Sequence, residues 1–252
     1  MLLSKDNLFM EYKGGSIIIG SLLWEKTPKR EKWRKLYLKQ IENKVNVNVR
    51  IRYGRESRTR KKTYTMILSN HSSTDFGKAI ILPFRETLKN AKMLDSQAFA
   101  MAGAEGISKK NEPSLNNSWG TVGLLINPKL ERNKNLEIVK QWWIKIYSVY
   151  DFNPSDYIIE KESDIIDKNG FLKIEWTDEM NEFDFLIATL TVPKPKSLLN
   201  EKIIAEKINE TGYDEYFLNN YENGIRTFQD EEIINKLNKK PFDNRVDGSA
   251  IN

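Results

Sequence analysis

Residues 16–26 read SIIIGSLLWEK, and the reading of this stretch decides the fold. Three isoleucines run into Gly20-Ser21 and then into Leu-Leu-Trp. A short β-branched run closed by a Gly-Ser pair predicts a buried strand over 16–23 that ends in a turn. Thr27-Pro28 follows with the form of an N-cap and a proline at the first helical position. The helix it opens would carry Trp33, Leu36, Tyr37 and Ile41 on one face.

Downstream, VNVNVRIRY (45–53) alternates strictly. Val45, Val47, Val49, Ile51 and Tyr53 share one face, and Asn46, Asn48, Arg50 and Arg52 share the other, which predicts a strand with one wet face. TYTMIL (63–68) is its expected antiparallel partner, and KAIILPF (78–84) is a third strand ending near Pro83. Residues 85–105 carry Leu88, Ala91, Leu94 and Ala98 at helical spacing. WGTVGLLINP, from Trp119, reads as a strand closed by Asn127-Pro128. Leu136, Val139, Trp143, Ile146, Tyr147 and Tyr150 recur at intervals of three and four, the pattern of an amphipathic helix. DYIIEKES (156–163), GFLKIEW (170–176) and FDFLIATLTV (183–192) read as strands. After Pro193 and Pro195 the pattern is helical over 198–211, 214–221 and 230–237, the last with Asp230 as N-cap. Strands and helices do not alternate regularly. The expected class is therefore α+β: a mixed, largely antiparallel sheet or a small β-barrel with flanking helices. Residues 1–240 are expected to form one domain, and 241–252 a flexible tail.

The composition narrows the chemistry. Of 252 residues, 39% are hydrophobic and 30% charged, the balance of a soluble globular chain. The net charge of +5 permits phosphate or nucleic-acid contact without requiring it. The absence of cysteine excludes disulfides, thiolate metal sites and a cysteine nucleophile. The single histidine, His71, lies in a polar turn and excludes a polyhistidine metal site. A Ser-His-Asp triad would need that same residue. No Walker, G-x-G-x-x-G, G-x-S-x-G or zinc pattern is present. The first residues lack the apolar core of a signal peptide, and no apolar run approaches a membrane span. A cytoplasmic protein with no cofactor and no membrane partner is expected.

Three features could carry chemistry. RIRYGRESRTRKK (50–62) gathers Arg50, Arg52, Arg55, Arg58, Arg60, Lys61 and Lys62 at one end of a hairpin. Such a cluster suits phosphates, a nucleic-acid backbone or a carboxylate ligand, and it equally suits a charged tip that protects a sheet edge. Arg52 and Arg55, either side of Tyr53-Gly54, are the best placed for a rigid grip on an anion. Glu105 lies among small residues in MAGAEGI, where desolvation would raise its pKa and suit it to proton transfer. Asp151 follows the amphipathic helix as a second acidic candidate. Trp24, just beyond the Gly-Ser turn, has the size and position to wall a pocket there.

Taken in order, IIIGSLLW, WGTVGLLINP, NLEIVKQWWIKIY, IATLTVPKP and the closing IAEKINETGYDEYFLNNYENGIRTFQDEEIINKL resemble the γ-glutamylcyclotransferase-like superfamily, its ChaC-type branch especially. The resemblance covers most of the chain. It implies a compact mixed β-barrel with flanking helices, and a pocket where N–H groups of the Gly-Ser turn hold a ligand's carboxylate or carbonyl. It also implies a glutamate that moves a proton as a γ-glutamyl amine attacks its own side-chain carbonyl and 5-oxoproline is released. Gly20, Ser21 and Leu22 stand at the matching turn positions, with Ile19 where the family has tyrosine. The family glutamate's offset falls near Trp143, so Glu105, or failing it Asp151, must substitute if the reaction is kept. Three functions follow: an enzyme acting on a γ-glutamyl compound; a non-catalytic binder of an anionic metabolite or nucleotide, using Gly20, Ser21, Arg52 and Arg55; and, less favoured, a nucleic-acid or protein module built on the basic hairpin.

Overall fold

A computed structural model describes residues 11–109, 111–133 and 135–238. The expected tail at 241–252 lies outside the described residues. Seven strands form one sheet: β1 (Gly14–Ile18), β2 (Val45–Glu56), β3 (Tyr64–Leu68), β4 (Phe76–Pro83), β5 (Asn116–Asn117), β6 (Gly120–Ile126) and β7 (Phe185–Thr191), in the order β3-β2-β4-β1-β7-β6-β5. Among the described residues six α-helices pack around it: α1 (Pro28–Tyr37), α2 (Ala91–Glu105), α3 (Leu136–Tyr147), α4 (Glu201–Thr211), α5 (Glu215–Glu222) and α6 (Asp230–Lys236). The architecture is α+β, and the sheet is open rather than closed into a barrel.

All neighbouring strands run antiparallel except the central pair, where β1 lies parallel to β7 with Gly14 opposite Phe185 and Ile17 opposite Ala188. β1 is thus enclosed on both edges, and all five of its residues are buried. That explains why SIII is a continuous apolar run and not an alternating one. The strand is shorter than expected, because Leu22 and Leu23 belong to the turn, where the Leu23 N–H donates to Gly20 O at 3.1 Å. Both are nonetheless buried.

β2 is the long strand that shapes the site. Its first half pairs with β4, from Val45 opposite Ile81 to Arg50 opposite Phe76, and its second half pairs with β3. Between Tyr53 and Arg55 the register slips, leaving Gly54 as the extra residue of a bulge. A Cβ on Gly54 would stand 2.3 Å from Cδ1 of Ile67, so only glycine fits. Past the bulge the bent strand meets the chain leaving β7: Lys194 N–H donates to Gly54 O at 2.8 Å and Glu56 N–H to Lys194 O at 2.7 Å. The sheet curls far enough here to give a cavity two facing walls without closing.

Several expectations need correction. Residues 156–163 and 170–176 form no strand; they carry 3-10 and irregular structure held by isolated bridges, Leu124 to Phe171 and Ile166 to Leu172. Ile159 of the first segment, with Ile165 and Ile166 of the connection between the two, is fully buried. Helix α2 begins at Ala91, capped by the Asn90 side chain accepting from Met93 N–H at 3.0 Å; residues 85–90 are irregular. On α1, Trp33 is buried but Leu36 is exposed, and the second buried side chain is Arg30; Ile41 lies past the helix end, in a 3-10 turn, and is exposed too. The N-cap of α6 is Gln229, and Asp230 is its first residue. The alternation in β2 holds for Val47, Val49, Ile51 and Tyr53, but Arg52 on the opposite face is buried as well.

Candidate functional site

A cavity of about 640 Å³ opens where β1 ends. Its floor is Ile18, Ile19 and the Gly20-Ser21-Leu22 turn. Its walls are the β2–β3 hairpin tip on one side and Thr189, Thr191 and Val192 of the β7 end on the other. Glu105, Arg30, Trp119, Lys194 and Tyr216 also line it.

The turn is fixed from below by α1. Arg34 donates to Leu22 O at 2.6 Å and to Glu25 O at 3.0 Å, and the Glu25 N–H donates to Ser21 O at 3.0 Å. These contacts occupy the turn's carbonyls. Glycine is required at position 20 because Tyr216 closes over it: a Cβ there would stand 2.6 Å from the Tyr216 hydroxyl. That hydroxyl accepts from Met66 N–H at 3.2 Å, which ties α5 to β3 and to the turn at once.

Glu105 is the last residue of α2. The helix stops because Gly106 adopts φ +87° and its N–H returns to Ala102 O at 3.0 Å, joined by Ile107 N–H to the same oxygen at 2.9 Å. A carboxylate at a helix C-terminus sits at the negative end of the macrodipole, and this one is only 17% exposed. Arg30 answers both problems. Its Nε donates to Ala104 O at 3.4 Å, its Nη2 meets Glu105 Oε2 at 3.3 Å, and its Nη1 donates to Ser21 Oγ at 2.7 Å and to Glu25. Arg60 reaches in from the hairpin tip to Ser21 Oγ at 3.0 Å and Glu25 Oε2 at 2.8 Å, with its guanidinium 5.1 Å from the Tyr216 ring centroid. Burial pushes the Glu105 carboxyl above its usual range, and the Arg30 and Arg60 guanidinium groups pull part of that rise back. The result is a carboxylate of enhanced basicity beside a hydroxyl and two arginines.

The structure brings Gly20, Ser21, Leu22, Arg55 and Glu105 to this one cavity. Trp24 stands behind it: its Nε1 donates to Asn220 Oδ1 at 2.8 Å, and its ring meets the Tyr216 ring edge-on at 6.1 Å. Arg52 lies elsewhere. It is 3% exposed and spends its donors on Thr74 Oγ1 at 3.2 Å, Ser73 Oγ at 3.3 Å and Leu199 O at 3.1 Å, so it braces the interior and does not line the cavity. Asp151 is exposed beyond α3, outside the cavity lining.

Arg30, Glu25 and Tyr216 were not among the expected site residues. Arg30 had a usable signal: it precedes Trp33 by three, so it shares the buried face of a helix whose start the sequence marks plainly. An arginine on such a face needs an interior partner. Tyr216 carried no local sign, because its role depends on a close approach to a glycine 196 positions away. Among the described residues no group of three or more His, Asp or Glu is arranged to hold a metal ion, and no helix is long and apolar enough to cross a membrane. No family model matches the chain, and no curated protein or solved structure matches it.

Proposed function

We propose that the cavity takes a small anionic γ-glutamyl compound in the cytoplasm and that Glu105 is the proton-transfer group of an intramolecular cyclisation. One observation carries the reading: the single buried carboxylate at this site is held against the Gly20-Ser21 turn, where the Arg30 guanidinium bridges Ser21 Oγ and Glu105. The resemblance to γ-glutamylcyclotransferases requires a carboxylate near that turn, and Glu105 is the residue that supplies it.

The chemistry balances without water. The substrate's α-amine attacks its own γ-carbonyl carbon, forming the ring C–N bond. Glu105 takes a proton from the attacking nitrogen and delivers it to the departing amine as the old amide C–N bond breaks. The products are 5-oxoproline and a free amine. The raised Glu105 pKa makes its carboxylate a better proton acceptor than an ordinary glutamate. In this reading the turn's N–H groups receive the carbonyl oxygen as it gains charge.

The Arg30–Glu105 contact also supports a second reading, a binder without turnover, because a carboxylate held by an arginine is a weaker base. One experiment separates the two. The protein is incubated with a panel of γ-glutamyl amino acids and amines, and released 5-oxoproline is measured beside binding by calorimetry. The enzyme reading expects turnover in the wild type, a loss of about 100-fold or more in Glu105→Gln, and binding retained within about threefold. Binding without turnover in the wild type establishes the binder. Turnover unchanged in Glu105→Gln removes Glu105 from the chemistry.

A further inference from the structure

The two ends of the cavity differ in charge. Around Ser21, the cations Arg30 and Arg60 face the carboxylates of Glu25 and Glu105, and the four are bonded to one another. At the other end, Arg55, Arg58 and Lys194 line the cavity, and among the described residues none of them has an ion pair.

Arg55 is the least exposed of these three. It is half-buried, its Nη1 donates to Val192 O, and its guanidinium lies 5.5 Å from the Trp119 ring centroid. The stacking and the carbonyl fix the plane of the group and leave its remaining N–H donors for the cavity. Burial and the neighbouring Arg58 act against its charge, and Glu105 across the cavity favours it. The position of Lys194 is set by the backbone bonds that join it to Gly54 and Glu56. Lysine and two arginines therefore share this end of the cavity, and among the described residues no carboxylate bonds to any of them, although Glu105 acts on Arg55 from across the cavity.

We propose that Arg55, Arg58 and Lys194 form an anion subsite for a phosphomonoester group, the far end of the ligand that the cavity holds. Three cations without an ion-pair partner match a dianion better than a single carboxylate. The terminal oxygens of a monoester can each take a separate donor, which a phosphodiester in a nucleic-acid backbone cannot offer. This rests on the cavity being a ligand site but not on the cyclisation.

The probes are inorganic phosphate, a simple phosphomonoester, acetate, succinate and a short single-stranded oligonucleotide lacking terminal phosphates, each titrated by calorimetry at fixed ionic strength. Saturable phosphate and phosphomonoester binding is expected, tighter than acetate or succinate. Arg55→Gln and Lys194→Gln should each weaken it about tenfold or more, and Glu105→Gln should not weaken it. Lys194 is exposed, so its variant tests the subsite even if Arg55→Gln perturbs packing; thermal unfolding of both variants identifies that case. Phosphate binding that is not saturable, or is unmoved by Lys194→Gln, overturns the proposal. So does succinate or the oligonucleotide binding more tightly than the phosphomonoester. Loss of turnover in Glu105→Gln with phosphate binding intact separates this subsite from the proton-transfer role.

Discussion

Replacing Arg30 by methionine tests the site and the fold together. The substitution keeps an unbranched stem on α1 but removes the donors to Ser21 Oγ, Ala104 O, Glu25 and Glu105. Glu105, 17% exposed, is left at a helix C-terminus without its nearest cation. Breaking a fully buried pair from one side costs about 3–5 kcal/mol; Glu25 is 33% exposed and solvent screens it, so the expected loss is about 2–3 kcal/mol. For a chain of this length that lowers Tm by roughly 4–12 °C.

The loss should depend on pH, and the sign follows from the direction of the Glu105 shift. Its carboxyl is already raised in the folded protein, and removing Arg30 takes away the largest opposing influence, so it rises further. A group raised on folding contributes full stability below its unfolded pKa and loses it as pH climbs through the folded value. Arg30→Met should therefore lose stability more steeply than the wild type as pH rises above the ordinary glutamate value. Adding Glu105→Gln should remove that extra slope and recover about 1–3 kcal/mol. Urea melts at several pH values measure this. A loss under 1 kcal/mol that is flat with pH would refute the account of Arg30 as the counter-ion of a desolvated Glu105.

Other outcomes follow from single contacts. Gly20→Ala places a methyl 2.6 Å from the Tyr216 hydroxyl; it should cost about 1–3 kcal/mol and weaken the protection of the Met66 amide, read by hydrogen exchange. Asp95 accepts from Trp142 Nε1 at 2.8 Å, and burial lifts its carboxyl to about 6. The Trp142 indole N–H resonance should titrate with a midpoint near that value, and Asp95→Asn should abolish the step. Because the Asp95 pKa is raised on folding, ionising it costs stability as pH rises from about 4 to 6, and the same variant should flatten that slope. A Trp142 signal that does not move over this range would place the carboxyl elsewhere.

Periodicity made the strands around the site legible. The apolar run of β1, the alternation of β2 and the Gly-Ser punctuation predicted a turn at the end of a buried strand, and the small residues before Glu105 marked a crowded helix end. What pairwise distance decides was not legible. Residues 156–176 have the composition of strands, yet they meet the sheet only through the Leu124–Phe171 bridge on β6 and otherwise bury Ile159, Ile165 and Ile166 in the core. Arg52 and Arg55 look equivalent as letters three apart. Their surroundings separate them: Thr74 and Leu199 O enclose Arg52 in the interior, while Val192 O and the Trp119 ring hold Arg55 at the cavity. The sequence resemblance suggested a barrel, and the ladder order leaves the sheet open.

The parallel pairing of β1 with β7 also bears on how the chain is made. The two partners are about 170 positions apart, so a growing chain carries β1 for most of its synthesis with one edge unmatched. That edge belongs to a fully buried strand, and an interior strand left with an open edge recruits other strands. The cavity is later still, since Tyr216 must arrive before the Gly20 turn is covered. A truncated product ending before β7 would have most of the basic and acidic side chains of the site but no cavity to hold them in, and it would expose a sticky edge at its centre.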